Sequence, residues 1–272
     1  MKFSVSMCVY GKDDPNHFRT AVESILNQTA APDEVVLVVD GPVPMQLDGV
    51  IKELEENPVF QVIRLKENRG HGEARRIGLQ NCTHELVALM DADDISTNNR
   101  FEKQLEVFTG HPELAVVGGN ITEFVEEPEN IVGARVVSRE DSAIKEDLKK
   151  RCPMNQVTVM FRKSSVEYAG GFLDWFCEED YYLWIRLYLN GAKFANIPDY
   201  LVNVRVGKEM YQRRGGWKYF ASEAKLQKYM LDNRIIGIGT FLINVCKRLI
   251  VQVLLPNKLR SWVFQKYARK AV

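Results

Sequence analysis

The chain has 272 residues, of which 46% are hydrophobic, enough to bury one large domain or one domain plus an appendage. Its formal net charge is zero, yet no acidic residue follows Asp232, while Arg234, Lys247, Arg248, Lys258, Arg260, Lys266, Arg269 and Lys270 are all basic. The tail thus carries eight positive charges and the body before it eight negative ones, which argues against nucleic acid as a partner and for an anionic membrane surface near the tail.

Short apolar runs alternate with helical spacing through the first half. Strands are predicted at Phe3–Tyr10, Glu34–Asp40, Phe60–Leu65 and Leu86–Met90. Between them, helices are predicted at His17–Asn27 (opened by Asp14-Pro15), Met45–Glu56 and Gly72–Gln80. Continuous apolar strands in alternation with helices imply an α/β fold with a Rossmann-like, mostly parallel sheet covered on both faces. Right-handed crossovers then bring the carboxyl ends of the strands to one edge, where ligands bind. Further on, a helix is expected from Asn98 to Gly110 and a strand over Ala115–Gly119. A charged, irregular stretch with a short helix follows over Glu123–Arg151. A strand at Val157–Phe161, helices at Ser164–Ala169 and Asp180–Leu189, and strands at Ala192–Ile197 and Leu201–Val206 complete the body. A helical tail begins near Gly216, which divides the chain into a domain of residues 1–215 and an extension of residues 216–272.

Five scattered cysteines without a CxxC pair fit a reducing compartment better than a disulfide framework or a structural zinc site. The first strand meets Gly11-Lys12-Asp13-Asp14-Pro15 rather than a cleavage-type segment, so a cytosol-facing protein is expected.

The chemistry concentrates at strand ends. Leu86–Met90 runs into Asp91-Ala92-Asp93-Asp94, and three carboxylates at the end of a buried strand are costly unless a cation balances them. Hard Mn²⁺ or Mg²⁺ suits carboxylate oxygens and often shares its shell with substrate phosphates. An EF-hand reading pairs Asp91 and Asp93 with Glu102, but Ile95 and Ser96 stand where that loop needs a ligand and a glycine. A phosphatase with Asp-x-Asp would normally carry it on the first strand, not the fourth. Asp40 ends the second strand, where it can accept hydrogen bonds from a nucleotide or simply form an Asp-Gly-Pro turn. Gly70-His71-Gly72-Glu73-Ala74-Arg75-Arg76 opens a helix whose N–H groups and guanidinium forks suit phosphate, the alternative being a solvated helix face. Glu178-Glu179-Asp180 begins another helix, where the macrodipole both favours capping acids and keeps a carboxylate ionised as a base requires. Met210-Tyr211-Gln212-Arg213-Arg214-Gly215-Gly216 is a basic loop that can fold over a diphosphate or form a solvated turn.

Taken in order, Ser4–Tyr10, Val38-Val39-Asp40-Gly41, Asp91-Ala92-Asp93-Asp94 and Glu178–Trp184 resemble the family 2 inverting glycosyltransferases of the GT-A fold. The bacterial enzymes of O-antigen and capsular polysaccharide synthesis are the most similar kind. The resemblance spans roughly residues 3–232. It implies that Asp40 reads the uracil of a UDP-sugar beside Val9 and Tyr10, that Arg75 contacts the donor, and that Asp91-Ala92 line it. It further implies that Asp93 ligates Mn²⁺ or Mg²⁺ with help from Asp91, and that Asp180 deprotonates the acceptor hydroxyl. Glu179, Arg213 and Arg214 are then candidates for the acceptor side, a sugar-diphosphate-undecaprenyl lipid, with glucose or galactose transferred. Arg76 stands where the family has Asn, and Gln156 where many relatives have His.

Two rivals remain in view: a sugar-phosphate nucleotidyltransferase, disfavoured by the acidic loop after the first strand, and a non-catalytic membrane-associated binding protein. In the tail, Asn244, Lys247, Arg248 and Gln252 share one helix face, while Leu242, Val245, Leu249 and Val253 occupy the other. That is the pattern of an interfacial helix, peripheral on the cytoplasmic face, with Trp262, Phe264 and Tyr267 as further anchors. A spanning helix is not expected, because Lys247 and Arg248 fall in the middle of the run.

Overall fold

The protein is described by a computed structural model over residues 1–207 and 215–256. The first four strands are β1 (Phe3–Tyr10), β2 (Glu34–Asp40), β3 (Phe60–Arg64) and β4 (Leu86–Met90), followed by the two-residue β5 (Ile95–Ser96). The later strands are β6 (Val116–Phe124), β7 (Ile131–Arg135), β8 (Met160–Arg162) and β9 (Phe194–Arg205). They form one sheet in the order β3-β2-β1-β4-β8-β6-β9-β5, with β7 added beside β6.

Only the block β3-β2-β1-β4 is parallel throughout. The expectation of a mostly parallel sheet fails beyond it. β8 runs antiparallel to both β4 and β6, β7 to β6 and β5 to β9, and only β6 and β9 are parallel there. For β7 the reason is connection length. β6 and β7 are joined by a few residues in which Glu126 takes a positive φ, and so short a link permits only antiparallel pairing.

Helices cover both faces. On one, α1 (Pro15–Leu26), α2 (Met45–Glu55) and α4 (Arg100–Gly110) bury Phe18, Ile25, Leu47, Ile51, Phe101 and Phe108 against Val5, Val35 and Ala88. Asp14 caps α1 by accepting from the N–H groups of Asn16 and His17, with Pro15 opening the helix. On the other face lie α3 (His71–Asn81), α5 (Asp141–Leu148), α6 (Lys163–Tyr168) and α7 (Glu179–Leu189). There Leu79, Ile144, Val166 and Trp184 pack on Val87 and Phe161.

Differences from the sequence reading cluster in the second half. β6 extends to Phe124, and β7 and α5 occupy the stretch expected to be irregular. Gln156–Thr158 is a 3₁₀ turn, so β8 starts later than predicted. The two strands expected around Pro198 are one, β9. It passes the proline through register shifts opposite Asn120, whose side-chain amide donates to the Pro198 carbonyl at 2.7 Å.

After residue 215 the chain forms α8 (Trp217–Asp232), α9 (Ile238–Leu249) and a π-helical turn over Ile250–Leu254. Leu226, Met230, Ile235 and Ile236 join the second core cluster. The tail helix does not turn its polar face to water, as the interfacial pattern suggested. Asn244 and Gln252 are buried against the body, because polar partners from α8 and from the end of α5 await them. Among the described residues no helix is long and apolar enough to cross a membrane.

Gly41 governs the edge at which the parallel strands end. Its φ is +88°, and a Cβ there would lie 2.6 Å from the Asn68 backbone nitrogen. Gly41→Ala is therefore expected to destabilise the fold by about 1–3 kcal/mol, from backbone strain and displacement of the 67–70 loop. Thermal or urea melts check this; an unchanged midpoint would show that the loop yields freely.

Candidate active site

The register of the parallel block sets the site. Tyr10 at the end of β1 pairs with Asp40 at the end of β2, while Met7 pairs with Met90, so Asp91 leaves β4 alongside them. Tyr10 is exposed at this edge, whereas the Val9 side chain sits in the core, so a nucleotide here would meet Val9 through its backbone. Ala92 is also buried. Asp40 is buried, and its two carboxylate oxygens accept the N–H groups of Arg69 at 2.7 Å and Gly70 at 3.0 Å. It thus ties the end of β2 to the loop that opens α3. Each oxygen keeps further lone-pair capacity toward a ligand.

Asp91 meets Arg75, whose guanidinium donates to Asp91 Oδ1 at 2.5 Å while being only 2% exposed. Burial alone would pull Arg75 below its ordinary range, but the charges of Asp91 and Glu179 more than offset that and hold it above. Asp93 is pushed up by burial and by the Asp91 charge. Asp13, which accepts the Tyr10 N–H, is pushed up to about 6 by burial and the charges of Asp93 and Asp91. Asp13 and Asp93 stay raised although Arg75 pairs with Asp91, so a divalent cation would relieve the repulsion among these acids. Among the described residues no three His, Cys, Asp or Glu side chains converge at metal-ligand spacing. A cation held by Asp93 with Asp91 would therefore draw further ligands from water or phosphate, as Mg²⁺ and Mn²⁺ do.

Asp94 does a different job. Burial and its acidic neighbours drive it well up, and its Oδ1 accepts the Arg205 N–H at 2.8 Å. Arg205 also donates to the carbonyls of Asp93 and Glu126 and stacks over Phe124, so this pair fastens the acidic loop to the end of β9.

At the start of α7, three consecutive acids have three environments. Glu178 is buried and pushed well up by burial, then by the charges of Glu223 and Asp180. Burial would raise Glu179 too, but the His71 hydrogen bond and the charges around it outweigh burial and lower it. Asp180 is raised by burial and the Glu179 charge, against the opposing effects of the Tyr181 N–H, Arg135 and Cys152. The Cys152 thiol lies 3.6 Å from Asp180 Oδ2, and burial keeps that thiol protonated. Arg135 of β7 donates to the carbonyls of Cys152 and Met154 and so shapes this loop.

The two acidic groups are joined by a continuous chain. Arg75 Nε donates to His71 Nε2 at 2.8 Å, and His71 Nδ1 lies 3.1 Å from Glu179 Oε1. Since Nε2 accepts, the hydrogen-bond network assigns the proton to Nδ1, which donates to Glu179. Asp91, Arg75, His71 and Glu179 thus link the end of β4 to the first turn of α7. Sequence reasoning missed His71, although its spacing of four residues from Arg75 on one helix was a usable signal. It also missed Asp13, which accepts the Tyr10 N–H beside the acidic loop, and Arg135 and Arg205, whose partners lie farther along the chain. Arg76 pairs with Glu73 on the surface instead of entering the site. Arg213 and Arg214 lie outside the described residues.

The model for "Glycosyl transferase family 2" matches residues 4–167, and that for "Glycosyl transferase family group 2" matches residues 86–264. The chain is 36% identical to the Escherichia coli "UDP-Gal:alpha-D-GlcNAc-diphosphoundecaprenol beta-1,3-galactosyltransferase", over 99% of this chain and 97% of that one. It is also 36% identical to the "Amylovoran biosynthesis glycosyltransferase AmsE" of Erwinia amylovora, over 97% and 98%. Among solved structures, a mannosyltransferase of Pyrobaculum calidifontis in complex with GDP-Man and Mn²⁺ superposes with a TM-score of 0.64 at 15% identity, covering 99% of this chain and 76% of that one.

If His71 holds the two halves of the crevice in register, His71→Phe should lower kcat by roughly tenfold to a hundredfold, the scale of a small misplacement of reacting groups. His71→Gln, which keeps an acceptor and a donor, should recover part of the loss at an unchanged melting temperature. Equal kcat in all three proteins would reduce the bridge to a surface contact.

Proposed function

The chain belongs to glycosyl transferase family 2, and from that premise we propose that it moves a hexose from a UDP-sugar to a sugar-diphosphate-undecaprenyl acceptor, with inversion, in cell-surface polysaccharide synthesis. The observation that carries this reading is the chain from Asp91 through Arg75 and His71 to Glu179. It ties an acidic strand end, of the kind a diphosphate-bound cation would need, to a carboxylate-rich helix start. The name of the Escherichia coli relative supports a UDP-sugar donor, a lipid diphosphate acceptor and galactose as the first sugar to test; glucose is the other hexose that the family resemblance implies.

In this reading Asp40, Tyr10, the Val9 backbone and Ala92 surround the nucleotide, and Arg75 orients Asp91 toward it. Asp93 and Asp91 would hold Mn²⁺ or Mg²⁺, which when bound supplies charge neutralisation for the departing UDP. Asp180 accepts the proton of the acceptor hydroxyl as that oxygen bonds to the anomeric carbon and the bond to the UDP oxygen breaks. Attack opposite the leaving group turns an α-linked donor into a β-glycoside. Glu179, Arg213 and Arg214 are assigned to the acceptor side. Residues 1–215 would form the transferase unit and residues 216–272 the extension toward the membrane, at its cytoplasmic face.

The test is full-length protein with UDP-galactose or UDP-glucose, Mn²⁺ or Mg²⁺, and a synthetic GlcNAc-diphosphate-lipid, with the anomeric configuration of the product read by NMR. No transfer from either donor under any of these conditions would refute the reading.

Asp93→Ala should lose transfer while retaining its melting temperature, and excess chelator should silence the wild type; full turnover in chelator would exclude the cation. Asp180→Asn should cost about 10²–10⁴-fold in kcat with donor binding kept. Because Asp180 must be ionised to act and its carboxyl is raised, the acidic limb of kcat/KM should lie above the ordinary carboxylate range. Cys152→Ser offers the ionised carboxylate a stronger donor than a thiol, so that limb should move to lower pH. A limb that stays in place would show that residue 152 does not tune the base.

A further inference from the structure

The helix α9 is amphipathic but set with its polar stripe inward. Asn244 donates to the Lys149 carbonyl at 2.9 Å and to Gln227 Oε1 at 2.8 Å. Arg248 Nε lies 2.7 Å from Glu223 Oε2, and the same guanidinium donates to the Lys150 carbonyl at 3.0 Å. Gln252, in the turn that follows, donates to Glu223 as well. These three residues recur every fourth position and are taken up by the body of the protein, while Lys247, expected on the same face, is exposed.

The opposite side carries Ile238, Leu242, Ile243, Ile250 and Leu254, which are 51–65% exposed. Cys246 is exposed between them and Lys247 is exposed beside them. A helix on a water-facing surface shows the reverse arrangement, and a contiguous patch of large aliphatic side chains marks an interaction surface. Trp217, 67% exposed, starts α8 next to this turn, where the Gly216 N–H donates to the Gln252 carbonyl.

We propose that this stripe is a lipid-docking face that seats in the headgroup and acyl boundary of an anionic bilayer. The proposal rests on the lipid-linked acceptor of the proposed function and goes further by naming the surface and its orientation. Charge selects the occupant. Lys247 borders the stripe, and the sequence beyond Pro256 adds Lys258, Arg260, Lys266, Arg269 and Lys270 with no acid. Anionic headgroups complement Lys247 and the cationic sequence that follows. A second copy packed on the same face would instead bring two such cationic segments together.

The stripe is also fastened to the site. Arg248 and Gln252 grip Glu223 of α8. One turn of the same helix secures the loop before α7, since Ser222 Oγ donates to the Phe176 carbonyl at 2.6 Å and Trp175 Nε1 donates to the Ser222 carbonyl at 3.3 Å. That loop leads directly into Glu178, Glu179 and Asp180. Docking through α9 therefore holds the start of α7 at a set height above the bilayer, where a membrane-bound diphosphate acceptor would be presented.

The experiment is flotation of the full-length protein with phosphatidylglycerol/phosphatidylethanolamine vesicles. Wild type is compared with Leu242→Glu/Ile243→Glu, a change on the exposed stripe that removes no core contact. The wild type should float, and the variant should lose at least tenfold of its bound fraction at an unchanged melting temperature and sedimentation coefficient. A wild type that stays in the aqueous fraction overturns the proposal. So does a variant that floats equally well, as it would if the chain's own residues 257–272 covered the stripe. A variant that only converts a dimer to a monomer assigns the face to a second copy and overturns it too. Turnover with a detergent-dispersed acceptor, measured in parallel, separates the readings: vesicle binding without transfer overturns the acceptor assignment and leaves the lipid face standing.

Discussion

Removing a guanidinium from water costs several kcal/mol unless its partner and hydrogen bonds are well placed, and Arg75 is almost fully removed. Its position fixes three things at once. Through Asp91 it holds the loop after β4, through His71 it reaches the first turn of α7, and its own helix α3 is opened by the loop that Asp40 clamps. Deleting one partner of such a buried pair leaves the other charge uncompensated, so each member constrains the rest. The crevice therefore depends on a charge network more than on apolar packing, which lies behind it on both faces of the sheet.

That dependence explains which parts of the fold were legible in the sequence. β1, β2 and β4 are found at the predicted residues, because an uninterrupted apolar run between turn residues identifies a buried parallel strand from local pattern alone. α2, α3 and α7 deviate by a residue or so at their ends. Among the strands beyond residue 115 the pattern misleads. Pro198 suggests a break where β9 instead runs on through a bulge, and Ile131–Arg135 is too short and too near charged residues to stand out as a strand. Both are decided by pairing with β6, a partner that local periodicity does not reveal.

The site was legible in a similar proportion. Tyr10, Asp40, Asp91 and Asp93 fall at strand ends, and the topology of the parallel block brings strand ends to one edge. His71 was not legible as a site residue, since its meaning comes from Glu179, more than a hundred positions away. Residues of that sort are recognised by what they touch. The tail shows the same limit. Amphipathic spacing revealed that α9 has two unlike faces, but only Glu223, Gln227 and the Lys149 carbonyl determine that the polar one turns inward.

The acids at the start of α7 show how one helix terminus yields unlike groups. All three share the favourable field of the N-terminal dipole, so the dipole cannot be what distinguishes them. Neighbours do that. Glu178 faces Glu223 inside the protein and is driven toward its neutral form, while Glu179 is drawn toward its ionised form by His71 and the nearby Arg75. Asp180 lies between these extremes: burial and the Glu179 charge raise it, while the Tyr181 N–H, Arg135 and the Cys152 thiol restrain the rise. A carboxylate used as a base needs to be ionised at working pH yet retain some affinity for a proton. Of the three, Asp180 is raised without being driven as far as Glu178, the combination that the proposed base role calls for.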